Sequence, residues 1–250
     1  MSKLVFAANW KMHLGPGQAR EFMAEFLARS GPRRDRELWF FPSAIAVETV
    51  ASSTAHRSDI LIGAQNVYWE PKGAFTGELS VAMAKEAGAT GALVGHSERR
   101  HVFGESIEET ALKLRALVEA EMTPVLCVGE KIEEREAGAT IPVVERQLEA
   151  LEGLDVATIE RIPIAYEPVW AIGTGKTATP RDAAEVHNAI RSWLVAKGVA
   201  PDSVRILYGG SVKTDNVSSL VSDPEIDGVL VGGASLDPVS WAEIVNADAD

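Results

Sequence analysis

One carboxylate stands where a short apolar strand ends. Residues 162–166 read as a buried strand, Glu167 follows them, and Pro168 biases Glu167 away from helical geometry. The next four residues, 169–172, are apolar but too few for a helix and too interrupted for a buried strand. We interpret residues 169–172 as a hinged lid over a cavity. A carboxylate beneath an apolar lid indicates an enzyme that uses a base shielded from water.

A histidine follows another predicted strand. His96 comes after Gly95 and before a short helical turn that we predict to start near Ser97. A helix N-terminus disfavours the imidazolium form, so a neutral His96 could donate a hydrogen bond to a substrate carbonyl. The alternative is a core histidine bonded to backbone. His96 and His101 are five residues apart, which does not match helical metal pairs, and we expect no metal site.

Glu167 is predicted to take a proton from carbon, because a carboxylate without water has its pKa raised toward neutrality. The alternative is a capping or ion-pairing glutamate, and the lid favours the base. Lys11 lies just past the first predicted strand, after Asn9, and is predicted to contact an anionic substrate. Glu98 could pair with Lys11 and fix its position. The alternative for Lys11 is a solvated surface lysine.

Two glycine pairs end the last two predicted strands, Gly209-Gly210 before Ser211 and Gly232-Gly233. Glycines let backbone N–H groups approach an anion closely, so the pairs predict a phosphate site. The alternative is a pair of ordinary turns. Gly173 in the lid could add a donor when the lid closes.

A second phosphate motif is excluded. Gly175-Lys176-Thr177 looks like the end of a P-loop, but position 170 is tryptophan where that motif needs glycine. The next helix is predicted to start at Pro180 rather than at Lys176. We therefore expect no nucleoside triphosphate site.

Composition limits the class of protein. The chain has 250 residues, 46% of them hydrophobic, and a net charge of −12, which argues against nucleic acid and acidic membrane surfaces as partners. The single cysteine, Cys127, excludes an internal disulfide and fits a reducing compartment. We find neither a signal peptide nor an apolar run of about 20 residues that could span a membrane. A cytoplasmic location is expected.

Eight apolar runs alternate with helical patterns. The runs are residues 4–8, 38–41, 59–63, 89–95, 124–128, 162–166, 205–208 and 228–231. They predict an α/β fold, a (β/α)8 barrel of eight parallel strands inside a ring of helices, in a single domain of residues 1–250. An open doubly wound sheet is disfavoured because Asn9-Trp-Lys follows the first strand, where a glycine-rich turn would stand. In a barrel, the polar strand ends would converge on one mouth.

Local signals predict some helix boundaries. Ser106 with Glu109 forms a capping box, Pro180 begins a helix, and Pro42-Ser43 is predicted to begin the second helix. The charged run 130–136 reads as a solvated turn. Cys127 is expected to be a buried structural thiol, and His187 carries no signal of function.

Six motifs together resemble one known family. They are Asn9-Trp-Lys-Met12, Gly73-Ala-Phe-Thr-Gly-Glu78, Gly95-His-Ser-Glu-Arg-Arg100, Ala165-Tyr-Glu-Pro-Val-Trp-Ala-Ile-Gly-Thr-Gly175, Tyr208-Gly-Gly-Ser211 and Gly228-Val-Leu-Val-Gly-Gly-Ala234. In this order, and nearly end to end, they resemble the triosephosphate isomerase family. Asparagine is commoner in the family where this chain has His13, and residues 67–72 are also unusual.

The resemblance implies a cofactor-free isomerase of glycolysis and gluconeogenesis. It would interconvert dihydroxyacetone phosphate and glyceraldehyde 3-phosphate, with Glu167 as base and His96 as electrophile. Asn9 and Lys11 would contact the substrate. The residues implied to hold the phosphate are Gly173, Ser211, Gly232 and Gly233.

The resemblance also implies a homodimer. Residues 65–78, with Thr76 near the tip, look like the family's dimer loop, which enters the neighbouring subunit. Two other functions stay open: a different phosphate-binding barrel enzyme, and a barrel that binds phosphate ligands without catalysis. The first should lack the combination of His96, Glu167 and the lid. The second should have lost Glu167 or Lys11, and this chain has both.

Overall fold

Eight parallel strands close into a barrel in sequence order, with the first strand paired to the second and the eighth. The computed structural model describes residues 3–171 and 178–248. The strands are β1 Leu4–Asn9, β2 Arg36–Phe41, β3 Ile60–Ala64, β4 Gly91–Val94, β5 Thr123–Val128, β6 Ile164–Tyr166, β7 Ile206–Tyr208 and β8 Gly228–Val231. The predicted (β/α)8 barrel is confirmed.

Helices surround the barrel. Within the described residues they are α1 Pro16–Arg29, α2 Val47–Thr54, α3 Val81–Glu86, α4 Ser97–Val102, α5 Ile107–Glu119, α6 Ile132–Glu136, α7 Thr140–Leu148, α8 Val156–Ile159, α9 Pro180–Ala196, α10 Val217–Val221 and α11 Pro238–Asn246. Short 3-10 turns occupy Ala44–Ala46, Glu149–Leu151, Val169–Ala171 and Gly233–Ser235. No helix in the described parts of the chain is long and apolar enough to cross a membrane.

The strands bury both of their faces. Val5 and Ala7 of β1 belong to the cluster inside the barrel, whereas Phe6 and Ala8 belong to the larger cluster between the barrel and the helices. Alternate side chains of a strand point to opposite faces, so a strand covered on both sides needs a continuous apolar run. Trp39 helps to fill the inside, which makes the barrel a packed core and leaves the chemistry to its ends.

Two predicted helix starts are confirmed and one is wrong. Ser106 and Glu109 form the capping box of α5, and α9 begins at Pro180. The second helix does not begin at Pro42-Ser43, because a 3-10 turn precedes α2. The Ser43 hydroxyl donates its hydrogen bond to the carbonyl of Leu14, 3.2 Å away, and does not cap the helix.

Candidate active site

A cavity of about 310 Å³ opens where the barrel strands end. Its walls come from the segments that follow β1, β4, β6, β7 and β8, so residues far apart in sequence meet there. The predicted site residues that line it are Asn9, Lys11, His96, Glu167, Ser211, Gly232 and Gly233. Glu98 lies beside it, and Gly173 lies outside the described residues. The predicted convergence on one mouth is thus observed.

Glu167 is almost fully buried and is held by three donors. Its carboxylate accepts hydrogen bonds from the Ser97 backbone N–H at 2.9 Å and from the Ser97 hydroxyl at 3.2 Å. Nε2 of His96 lies 2.9 Å from Oε1. Burial raises the pKa of Glu167, but the attraction of His96 and these hydrogen bonds outweigh it, so the pKa is lowered. The predicted rise considered burial alone and is wrong for this conformation.

His96 is the N-cap that precedes α4, and its ring is fixed in one tautomer. Its Nδ1 accepts a hydrogen bond of 3.2 Å from the Glu98 backbone N–H, so the proton of the ring resides on Nε2 and faces Glu167. Nδ2 of Asn9 also lies 3.2 Å from Nε2. Burial lowers the pKa of His96, yet the adjacent Glu167 carboxylate outweighs burial and raises it. The two groups therefore titrate as a pair while they remain in contact.

Lys11 follows β1 in a strained backbone conformation. Its φ is 51°, in the left-handed region that costs a non-glycine residue about 1–2 kcal/mol. The Lys11 N–H donates to Oδ1 of Asn9 at 3.0 Å, and Nζ donates to Oε1 of Glu98 at 2.8 Å. The predicted pairing with Glu98 is confirmed. Gly232 lies close by, where a Cβ would meet Cε of Lys11 at 3.3 Å, so the glycine leaves room for the lysine.

The other end of the cavity offers anion donors. Within the described residues, the backbone N–H groups of Ser211, Gly232 and Gly233 donate to no backbone carbonyl, and the Ser211 N–H faces the Tyr208 hydroxyl. Gly233 also begins the 3-10 turn Gly233–Ser235. Free N–H groups around a concave surface suit a phosphate. Lys213 lines the same cavity, is exposed and has no ion-pair partner among the residues described, and the sequence reasoning missed it.

Glu130 is buried, contrary to the prediction from its sequence. Its place in the charged run 130–136 predicted a solvated turn, but its side chain is fully buried and α6 forms two residues later. The carboxylate accepts hydrogen bonds from the Tyr166 hydroxyl, at 3.1 Å to each oxygen, and from Nε1 of Trp170 at 2.9 Å. Burial raises the pKa of Glu130. This carboxylate anchors the described start of the predicted lid, residues 169–171.

Arg135 adds a second contact to the same segment. Its guanidinium lies 4.4 Å from the centroid of the Trp170 ring and donates to Asp182 at 2.7 Å. Asp182 is also part of the capping box with Thr179 at the start of α9. One arginine therefore contacts residues on both sides of residues 172–177. No periodic signal in the sequence relates these positions.

The backbone before His96 is clamped from both sides. The N–H of Gly95 donates to Oε1 of Glu105 at 3.1 Å, and its carbonyl accepts from Nε of Arg100 at 2.6 Å. Gly95 has a φ of 68°, and a Cβ there would meet the Arg100 guanidinium. The glycine is thus required for the close approach of Arg100, and His96 is presented from a fixed strand end.

Comparisons with known proteins agree with this arrangement. The sequence model of the family described as triosephosphate isomerase matches residues 4–248. A triosephosphate isomerase of Moorella thermoacetica is 46% identical over 250 residues, covering 99% of this chain and 100% of that protein. One from Roseiflexus sp. is 47% identical over 245 residues, covering 97% and 96%. One from Syntrophotalea carbinolica is 45% identical over 252 residues, covering both chains completely.

The matches extend over the whole barrel and include the strand ends that carry Glu167, His96 and the glycine pairs. A shared fold alone would not define the family, since barrels of this kind support many chemistries. The closed eight-stranded barrel, its cavity residues and identities of 45–47% over nearly complete chains lead to one conclusion. This chain belongs to the triosephosphate isomerase family.

Proposed function

We propose that this chain interconverts dihydroxyacetone phosphate and D-glyceraldehyde 3-phosphate without a cofactor, through an enediol or enediolate. The observation that carries the proposal is the contact of a buried carboxylate, Glu167, with a histidine whose tautomer is fixed, His96, at 2.9 Å. Lys11 lines the same cavity and supplies a cation. Membership of the family supports the substrate pair.

Glu167 is the proposed base. It removes a proton from the carbon next to the substrate carbonyl and returns the proton to the neighbouring carbon. To reach the substrate it must leave Ser97 and His96, which now lower its pKa. Once those donors are lost, burial dominates and the pKa of the carboxyl rises. Substrate binding would therefore make Glu167 a stronger base at the moment when it is needed.

His96 and Lys11 are the proposed electrostatic stabilisers. In the intermediate, negative charge develops on the substrate oxygen. The Nε2–H of His96 is released when Glu167 leaves, and it can then donate to that oxygen. Nζ of Lys11 adds a positive charge, and Glu98 holds that ammonium at 2.8 Å. Asn9 bonds the Lys11 backbone and borders the His96 ring.

The phosphate is proposed to bind at the donors of Ser211, Gly232 and Gly233, with Lys213 at the rim. Gly173 is a further proposed donor. Local N–H groups and one lysine would attract an anion to a chain whose net charge is −12. The predicted lid would keep water from the intermediate and prevent loss of its phosphate.

A coupled assay starting from D-glyceraldehyde 3-phosphate tests the reaction. The native chain should turn the substrate over rapidly, and Glu167→Asp should be slower by roughly 10²-fold or more, because about 1 Å of misplacement of a base has that effect. Glu167→Gln, which keeps the shape and loses the base, should be slower still. A native chain that binds the substrate and does not convert it would refute the isomerase proposal.

We also propose that residues 1–250 form one domain, that the enzyme is cytoplasmic and acts in glycolysis and gluconeogenesis, and that it is a homodimer. Residues 65–78, with Thr76, would enter the partner copy. Support comes from exposed apolar side chains beside the cavity, with Met12 95% and Phe103 66% exposed. Sedimentation should give the dimer mass for the native chain and a lower mass for Thr76→Arg.

A further inference from the structure

Lys11 needs its backbone held in an unfavourable conformation. A φ of 51° is rarely adopted by a residue with a side chain, because Cβ then crowds the following carbonyl. This conformation places Lys11 in the cavity wall. If the backbone of Lys11 adopted an ordinary negative φ, its side chain would point in a different direction. Some group must therefore stabilise the left-handed backbone.

The neighbouring side chains do not hold Lys11 strongly. The Glu98 side chain is 47% exposed, so its ion pair with Lys11 is weakened by solvent. Met12, the next residue along the chain, is 95% exposed and provides no packing. The Asn9 side chain holds only the Lys11 N–H. The carbonyl of Lys11 is left for another partner.

That partner is Gln65, the first residue after β3. Its Nε2 donates to the Lys11 carbonyl at 2.7 Å and to the Phe41 carbonyl, at the end of β2, at 2.9 Å. Both amide hydrogens are thus used, and one side chain ties the Lys11 backbone to the ends of two barrel strands. Asparagine is one methylene shorter, and glutamate has no hydrogen to donate, so the position suits glutamine.

We propose that Gln65 is a positioning residue for Lys11: it holds the left-handed backbone that directs the Lys11 ammonium to the substrate. The inference deepens the proposed function and rests on it. Gln65 does not line the cavity that holds Glu167 and the glycine donors but borders the adjoining space beside Lys11. Both of its amide hydrogens donate to backbone carbonyls, so it acts through Lys11. Its effect on catalysis should therefore exist only while Lys11 is present.

A double-mutant cycle tests this dependence. Gln65→Met keeps the length of the side chain and removes both donors. It should lower kcat/KM by about tenfold or more in the native background, a size typical of lost positioning. In a Lys11→Met background, the same substitution should lower kcat/KM by less than about twofold, because the group that it positions is already gone.

Two controls separate positioning from general damage. Asp155→Ala removes the N-cap of α8, so it should lower stability and leave kcat/KM unchanged. Each variant is assayed at concentrations where sedimentation gives the native mass. Gln65→Asn, run through the same cycle, replaces Gln65→Met if that variant does not fold.

An equal loss in both backgrounds, or no loss in the native background, would overturn the role of Gln65. A loss of activity that only follows dissociation of subunits would overturn it as well. Absence of turnover in the native chain would overturn the proposed function itself. The two failures are therefore distinguishable.

Discussion

The indole of Trp170 donates a hydrogen bond of 2.9 Å to Glu130, a carboxylate that is fully buried. The Tyr166 hydroxyl donates to the same group. A buried hydroxyl and a partly buried indole, four residues apart in sequence, thus donate to one acceptor. Removal of such an acceptor should lower the free energy of unfolding, because a buried donor left without a partner destabilises the protein by about 1–3 kcal/mol.

We predict that Glu130→Leu lowers the free energy of unfolding by about 1–3 kcal/mol, since it leaves the buried Tyr166 hydroxyl without this acceptor. Glu130→Gln keeps an acceptor of the same shape and should lower it by about 1.5 kcal/mol or less. Urea denaturation of the three proteins measures the difference. Equal losses for the leucine and glutamine variants would show that the hydrogen bonds are not the cause.

A second prediction concerns the ion pair behind His96. Nζ of Lys113 lies 2.6 Å from Glu105, which also holds the Gly95 N–H, and both charged side chains are buried. Lys113→Met should destabilise the protein by about 3–5 kcal/mol, because it leaves a buried carboxylate short of a partner. Adding Glu105→Gln should recover part of that loss. If the double variant is no more stable than Lys113→Met, the buried charge is not responsible.

The pH dependence of the free energy of unfolding should also change in Lys113→Met, through Glu105. Burial raises the pKa of Glu105, but Lys113 and Arg99 outweigh it and lower the pKa below 4.5. Its stabilisation is therefore present above pH 4.5 and is lost as the pH falls through the lower folded-state value. In Lys113→Met the pKa of Glu105 should be lowered less, so the free energy of unfolding should decrease less as the pH falls. Unfolding free energies measured from pH 6 downward provide the comparison.

A third prediction uses His187, which is fully buried. Its Nδ1 lies 2.9 Å from the Glu225 carbonyl, and its Nε2 has no partner within the described residues. Burial lowers its pKa from 6.5 to about 4. The unfolded chain then binds the proton more tightly, so the stabilisation is present above pH 6.5 and is lost as the pH falls toward 4.

The loss between these limits should reach about 3 kcal/mol. His187→Asn, which can still donate to the Glu225 carbonyl, should be less stable at neutral pH and should show a shallower decline in acid. Denaturation at several pH values between 7 and 4 tests this. Parallel curves for the two proteins would assign the acid sensitivity to other groups.

A fourth prediction concerns Lys213 at the end of the cavity where phosphate is proposed to bind. Lys213→Gln should raise KM about three- to fivefold with little change in kcat, because a solvated cation contributes at most about 1 kcal/mol. The salt dependence of kcat/KM should also become weaker. Lys197→Gln is the matched control: it makes the same charge change, but Lys197 pairs with Glu152 at 2.9 Å, outside the cavity. If both variants behave alike, net charge alone explains the effect.

The sequence was sufficient for the barrel because apolar runs define its strands directly. The predicted bounds of β8 match the structure, and those of the other strands differ from it by no more than two residues at either end. The site followed from the barrel, since strand ends must meet at one mouth. That step brought Asn9, Lys11, His96 and Glu167 together correctly.

The supporting contacts could not be predicted in the same way. The residues that follow Glu130 in sequence are mostly charged, which is typical of a surface turn. Its burial depends on contacts with Tyr166 and Trp170, which are distant in sequence. Gln65 bonds carbonyls 24 and 54 residues away, which no local pattern encodes. The pKa of Glu167 is lowered rather than raised because of His96 first and then Ser97, which lies 70 residues away, and no local pattern reveals either contact.

The pairing of β1 with β8 brings the first and last strands into one ladder, Val5 beside Gly228. During synthesis β1 therefore leaves the ribosome long before its second neighbour exists. Until then, the nascent sheet has an unpaired edge at β1, where another chain could add. Release of the last segment completes the ring and removes that edge. Because the barrel closes only when β8 pairs with β1, chains that lack β8 keep this open edge and should aggregate more readily than finished chains.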